Sequence, residues 1–179
     1  PGAVNGAQYG DCSLDDTISV GGFAPNGYGL YDMAGNVWEW VADWYGEDYY
    51  SSSPVENPGG PISGEYRVLR GGAWYLDGDY SRVSFRDGHF PGDTINFVGF
   101  RCASPAEAVD LPDSTPLPPA LMSAPGTVET QVSPLDGMVL SYIPAGTFLM
   151  GSESGYANEQ PVHSVTLDAF WMDQTEVTN

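Results

Sequence analysis

The chain contains no lysine. Five arginines face 24 acidic residues, for a net charge of -19. A surface this acidic repels nucleic acid and anionic lipid, which excludes both as partners, and it attracts divalent cations or basic partners. The arginines (Arg67, Arg70, Arg82, Arg86 and Arg101) crowd into one stretch. Arginine suits fixed, bidentate pairing where lysine serves as a solvated charge, so we read all five as structural. Long apolar runs are also missing, and nothing approaches the ~20 residues of a membrane span. Cysteine is scarce, with only Cys12 and Cys102. A disulfide between them would close a long loop and add about 4 kcal/mol. The alternative is two buried free thiols, and pairing is favoured only outside the cell. No Asn-x-Ser/Thr sequon occurs, and Pro1 is not a natural start, so no leader can be read.

What is abundant is glycine (23), proline (15) and aromatic residues (13%), with an apolar fraction of 41% that suffices for a core. That mixture describes a loop-rich globular protein of short elements, one ordinary domain or two small ones. Residues 1–25 read as loop. Asp11, Asp15 and Asp16 cluster there, either as a solvated turn or as a cation site of carboxylate and carbonyl oxygens. In NGYGLYDMAGNVWEWVADWY (26–45), Asn26-Gly27 and Gly35-Asn36 mark turns. The run from Val37 to Trp44 predicts a buried strand that carries Glu39 inward. A buried carboxylate must be paired or bound to metal, so an arginine or a calcium ion has to satisfy it. YRVLRGGAW (66–74) predicts a short strand ended by Gly71-Gly72, and VGFRCA (98–103) a last one.

From Ser104 the composition shifts to Pro, Ala, Ser, Thr and acids. We expect an extended, poorly ordered linker over 104–136. It separates residues 1–103 from 137–179. Beyond it, MVLSYIPAGTFLMGS (138–152) predicts two strands joined at Pro144-Ala145-Gly146, and VHSVTLDAFWMD alternates as strands do. Thr175, Thr178 and Asn179 are helix N-cap types, so a helix is expected to begin there. His163 in a strand reads as a structural donor rather than a switch or ligand.

Taken together, NGYGLYDMAGNVWEWVADWY, RVLRGGAW and GFRCA, with IPAGTFLMGS and EQPVHSVTLDAFWMDQTEVTN, resemble the sulfatase-modifying factor family. Its best-known members are formylglycine-generating enzymes. The resemblance implies a C-type lectin-like α+β fold, rich in loops and short strands with little helix. It also implies an inverted order. Residues 1–103 look like the closing part of a family domain, and residues 137–179 like the opening part of a next one. A slice of a tandem array is the simplest account. A head-to-tail assembly, fibrous if it does not close, is another.

Oxidase members resembling this chain hold copper with two cysteines after Arg-Gly-Gly. The matching positions here are Leu76 and Ser81, which cannot act as copper(I) thiolates, so no copper is expected. The resemblance also implies a calcium site built from Asp32, the carbonyls of Gly35 and Val37, and Glu39, with a weaker second site at Asp11, Asp15 and Asp16. In relatives without the cysteines, the loops between RGG and GFR form a binding face. Here those loops present Tyr75, Asp77, Asp79, Tyr80, His89 and Phe90, either as a recognition surface or as packed surface. The expected function is a non-catalytic, calcium-stabilised module of a tandem-domain protein, extracellular or at the cell surface. It would bind a protein or glycan ligand, or assemble with copies of itself or adjacent domains. The rival reading is a formylglycine-generating oxidase or other family enzyme whose remaining site residues lie elsewhere.

Overall fold

The computed structural model of the protein describes residues 16–106 and 128–178. Ten short strands carry the fold: β1 (Trp38–Trp44), β2 (Arg67–Arg70), β3 (Asp87–His89), β4 (Val98–Gly99), β5 (Ala103–Pro105), β6 (Thr130–Val132), β7 (Val139–Ile143), β8 (Gly146–Met150), β9 (His163–Leu167) and β10 (Phe170–Asp173). Three single 3-10 turns, Tyr49–Ser51, Gly78–Ser81 and Ala157–Glu159, are the helical content of the described residues. The expectation of short strands and little helix therefore holds. The helix expected at Thr175 and Thr178 does not form, since residues 174–178 make bends and one bridge; Asn179 lies outside the described residues.

The first sheet runs β3-β2-β1-β4. β1 pairs antiparallel with β2, placing Glu39 opposite Arg70, and parallel with β4, placing Trp38 opposite Val98. The Trp-x-Trp alternation sends Trp38 into a cluster with Leu69, Ala73, Phe85 and Val98, and Trp40, Leu76, Tyr80, Ile95 and Phe97 pack around it. This apolar core is built entirely from residues 38–98, so it belongs to the first segment alone.

The second sheet runs β5-β10-β7-β6 and is antiparallel throughout. It crosses the two segments, because β5 comes from the first and the other three strands from the second. Phe100 and Val177 form a further antiparallel bridge. VGFRCA is thus not one strand. It divides into β4 and β5 because Arg101 between them turns its side chain into the interior, where it is 2% exposed. The compositional linker is also narrower than 104–136, since β5 and β6 occupy its two ends. Their backbone groups gain ladder partners that an extended chain would leave to water. Residues 107–127 lie outside the described residues.

The two strands expected in 138–152 are present as β7 and β8, but they do not pair with each other. β8 instead pairs with β9 as a two-stranded ribbon, Phe148 opposite Val165. The ribbon reaches the first segment through Glu56 and Thr166. The second segment buries several polar groups, Ser141, Glu159, Asp173 and Glu176, beside the apolar Val165 and Trp171.

Candidate functional site

At the centre of the seam between the two segments, Arg101 organises a polar hub. Its Nε donates to Glu39 Oε2 at 2.7 Å and its Nη2 to Glu39 Oε1 at 2.5 Å, the bidentate fork that guanidinium geometry favours. Nη2 also donates to the Tyr31 carbonyl at 3.0 Å, and Nη1 to the carbonyls of Asp173 and Gln174 at 3.3 and 3.2 Å. Burial works against the charge of Arg101, but the hydrogen bond and charge of Glu39 outweigh it and hold the guanidinium above its ordinary range. Glu176, 2% exposed, sits farther away, with Oε2 3.5 Å from Nη2. Burial drives its carboxyl up to about 7. The hydrogen bond from Asn36 pulls the other way, and Asp32 adds like-charge repulsion.

Asn36 is the second organiser. Its backbone is left-handed (φ 60°), a region asparagine tolerates better than most residues. That conformation buries the amide, which donates to Glu176 Oε1 at 2.7 Å and accepts from the Ile18 N–H at 3.0 Å. The Asn36 carbonyl accepts from Trp74 N–H at 2.9 Å, tying the turn to the strand exit at Gly71-Gly72. From sequence, Asn36 reads only as half of a turn, and Glu176 does not stand out. The pairing of a left-handed Asn with a distant buried acid has no local sequence signal.

The residues expected to hold calcium are close in sequence, and the structure gives their carboxylates protein partners. Glu39 gives both oxygens to Arg101. Asp32, left-handed at φ 52° and buried, accepts from Gly21 N–H at 2.6 Å through Oδ2. Among the described residues no three His, Cys, Asp or Glu side chains form a metal-ligating group; a site of two carboxylates and two backbone carbonyls is of a different kind. Arg101 thus supplies a protein counter-charge to Glu39, one of the two partners that the sequence left open. Asp16 is exposed, and Asp11 and Asp15 lie outside the described residues. Cys102 is a free, exposed thiol, its ionisation pushed up by burial and by Asp173, and Cys12 lies outside the described residues.

A second polar clamp holds Glu159, which is completely buried. Its carboxylate accepts from Arg82 Nη2 at 2.8 Å, Ser84 Oγ at 2.5 Å and Tyr156 N–H at 2.8 Å. Burial alone would raise this carboxyl, but these three donors outweigh it and hold it below its ordinary range. Sequence reasoning misses Glu159; the signal that could have found it is an isolated acid in a loop that also carries Tyr156 and Asn158.

The residues of the expected binding face divide in two. Tyr80 is packed inward with its ring edge-on to Phe85 at 5.1 Å, and Asp79 pairs with Arg82 at 2.8 Å. Tyr75 and Phe90 remain 42% and 45% exposed. Tyr75 packs on Phe97 at 4.8 Å and Phe90 on Tyr66 at 4.7 Å. Asp77 is exposed, and His89 Nδ1 lies 2.7 Å from Asp93 Oδ2. Leu76 packs against the apolar core. Ser81 Oγ is buried without a hydrogen-bond partner, and a Cβ on Gly72 would stand 2.6 Å from it. The strand exit at Gly72 therefore lies directly against the turn that bears Ser81.

This chain is similar to a serine/threonine-protein kinase, pkn1, of Chlamydia pneumoniae, 52% identical over 90 residues that make up 49% of this chain and 14% of the relative. It is also similar to a formylglycine-generating enzyme of Streptomyces coelicolor, 43% identical over 107 residues, 58% of this chain and 33% of that one. Among solved structures it resembles Treponema denticola variable protein 1, with a TM-score of 0.50 at 44% identity, covering 54% of this chain and 34% of that one. The chain thus spans about a third or less of the length of these relatives. The family model for a sulfatase-modifying factor enzyme 1-like domain matches residues 6–106 and 124–179. The strand-rich, nearly helix-free architecture is that of its lectin-like fold, and the chain belongs to the sulfatase-modifying factor family.

Proposed function

We propose that this chain is a non-catalytic recognition module of its family, which binds a protein or glycan ligand at the face around Tyr75 and Phe90. One observation carries the reading: the positions that resemble the copper cysteines are Leu76, packed in the apolar core, and Ser81. Copper(I) chemistry needs thiolates, and neither side chain supplies one. Tyr75 and Phe90 expose aromatic surface, and Asp77, two residues from Tyr75, is exposed as well; rigid aromatic area with polar groups is what adaptable recognition surfaces use. The test combines copper and ligand. A reduced sample should take up no stoichiometric copper(I) and should leave a sulfatase-derived cysteine peptide unmodified. Tyr75→Ala with Phe90→Ala should abolish retention on a protein or glycan array. Tight one-to-one copper uptake overturns the proposal.

A second reading, assembly, is favoured by the seam. The β5–β10 ladder and the Phe100–Val177 bridge join segments that flank residues 107–127. The same ladder made between copies is heterologous and builds head-to-tail chains. Sedimentation from micromolar to millimolar protein should then show growing species. A single monomeric boundary throughout that range defeats this reading.

A further inference from the structure

A cavity of about 200 Å3 lies at the seam between β1 and β2 on one side and the β8–β9 ribbon on the other. That is many times the roughly 15 Å3 one water requires. Its walls are aromatic and aliphatic, with Tyr50, Phe148, His163 and Val165 among them. Two guanidinium groups, Arg70 and Arg86, and one carboxylate, Asp43, line it.

The charge balance is unusual for this chain. No ion pair of the described residues includes Arg70 or Arg86. Both are held by neutral acceptors instead. Arg86, 4% exposed, donates to the carbonyls of Gly46, Glu47 and Asn158 at 3.0, 3.1 and 2.7 Å, and its guanidinium lies 4.1 Å over the Tyr50 ring. Its Nε is buried with no partner. Arg70 donates to the Phe85 carbonyl and, at 3.2 Å, to Tyr50 Oη. Carbonyls and a phenol fix the two side chains but do not neutralise them. Burial opposes charge on both sides of the cavity: it pushes the Asp43 carboxyl up and the Arg86 guanidinium down. In a protein of net charge -19, a partly enclosed space with two fixed cations and one weakened acid is an anomaly. Asp43 attracts both guanidinium groups but is a single acid against two cations, which leaves room for a further negative charge beside them.

We propose that this cavity is a binding site for a small oxyanion, the carboxylate, sulfate or phosphate group of a compact ligand, with Arg70 and Arg86 as its cationic wall. It is distinct from the Tyr75 and Phe90 face and does not depend on that reading. Because β8 and β9 form part of the wall, the anion would also fasten the second segment to the first.

The test is calorimetric titration of the intact 179-residue chain with sulfate, phosphate and acetate at constant ionic strength set by chloride. Saturable binding of at least one of the three is expected. Acetate alone would identify a carboxylate ligand, and sulfate or phosphate alone a tetrahedral one. Asp43→Asn, which removes the competing negative charge, should tighten binding several-fold. Arg70→Met should weaken it at least tenfold. Absence of saturable binding by all three anions overturns the proposal. So does an affinity unmoved by Asp43→Asn, a substitution that keeps shape and polarity and so gives an answer even if Arg70→Met fails to fold.

Discussion

Glu176 makes the protein's stability depend on pH in the direction opposite to most carboxylates. Its carboxyl is raised from 4.5 to about 7 in the folded chain. Below about pH 4.5 it is protonated in both states and costs nothing. Between 4.5 and 7 the unfolded chain releases the proton and the folded chain keeps it, so stability falls as pH rises. Above 7 the full penalty is present. Each tenfold difference in proton affinity between the two states is worth ~1.4 kcal/mol, so the loss is about 3 kcal/mol across that window. The structural cause is visible in the hub: Glu39 takes the close edge of Arg101, and Glu176 is left at 3.5 Å. Glu176→Gln keeps an oxygen for Asn36 and removes the charge. The variant should match the parent near pH 4.5 and exceed it at pH 8 by an amount of order 2 kcal/mol, after allowance for a weakened Arg101 contact. Urea unfolding followed by fluorescence of the five tryptophans measures both proteins at each pH. Taking the difference between them removes the background of other carboxylates. A difference that stays flat from pH 4.5 to 8 would refute the reasoning.

Other outcomes follow from the same seam. Glu159→Gln should lower stability by about 2–3 kcal/mol at neutral pH, because Arg82 loses its buried partner and Ser84 its charged acceptor. Glu159 is held below its ordinary value, so its contribution is present above about pH 4.5 and fades as the solution is acidified through the lower folded value. The cost of the substitution should shrink correspondingly in acid. Gly99→Ala should break the Phe100–Val177 bridge, since the new methyl would run into the Val177 carbonyl; faster amide exchange at Phe100 and Val177 is the readout. Chelation by EDTA, followed by added calcium, should leave the melting temperature unchanged if Arg101 is the partner of Glu39; a clear rise with calcium would show the ion displacing that pair.

Strands are legible where side chains alternate or crowd. Trp38 to Trp44 announces β1, and the Gly71-Gly72 pair announces the end of β2, because glycine takes the positive φ found at both positions. The inward acid at Glu39 is also legible, as a charge between two tryptophans. What the sequence could not decide was its partner. An arginine and a calcium ion satisfy the same electrostatic need, and Arg101 lies 62 residues away, where local pattern carries no information. The helix expected near Thr175 is absent for a related reason. N-cap residue types offer an oxygen to a first turn but cannot compel one. Here the backbone at Val177 instead pairs with Phe100, and Glu176 is taken up by Asn36. β5 and β6 are hidden by composition. Pro, Ser and Ala near them argue for a linker, while the ladder to β10 and β7 is a tertiary contribution that propensity does not contain.

The two segments are held by different physics. Residues 38–98 own a contiguous apolar cluster, whose stabilisation scales with area and is indifferent to pH. Residues 128–178 contribute few buried apolar side chains and join through Arg101, Glu159, Asn36 and one antiparallel ladder, interactions that are directional and ionisation-dependent. A directional seam has one correct register, because a shift of a single residue at β10 would turn Trp171 and Asp173 to the wrong face of the sheet. It is also adjustable, because protonation of Glu176 strengthens it and an anion beside Arg70 and Arg86 would do the same from the ribbon side. Apolar burial supplies the platform, and polar chemistry decides how firmly the second segment is held upon it.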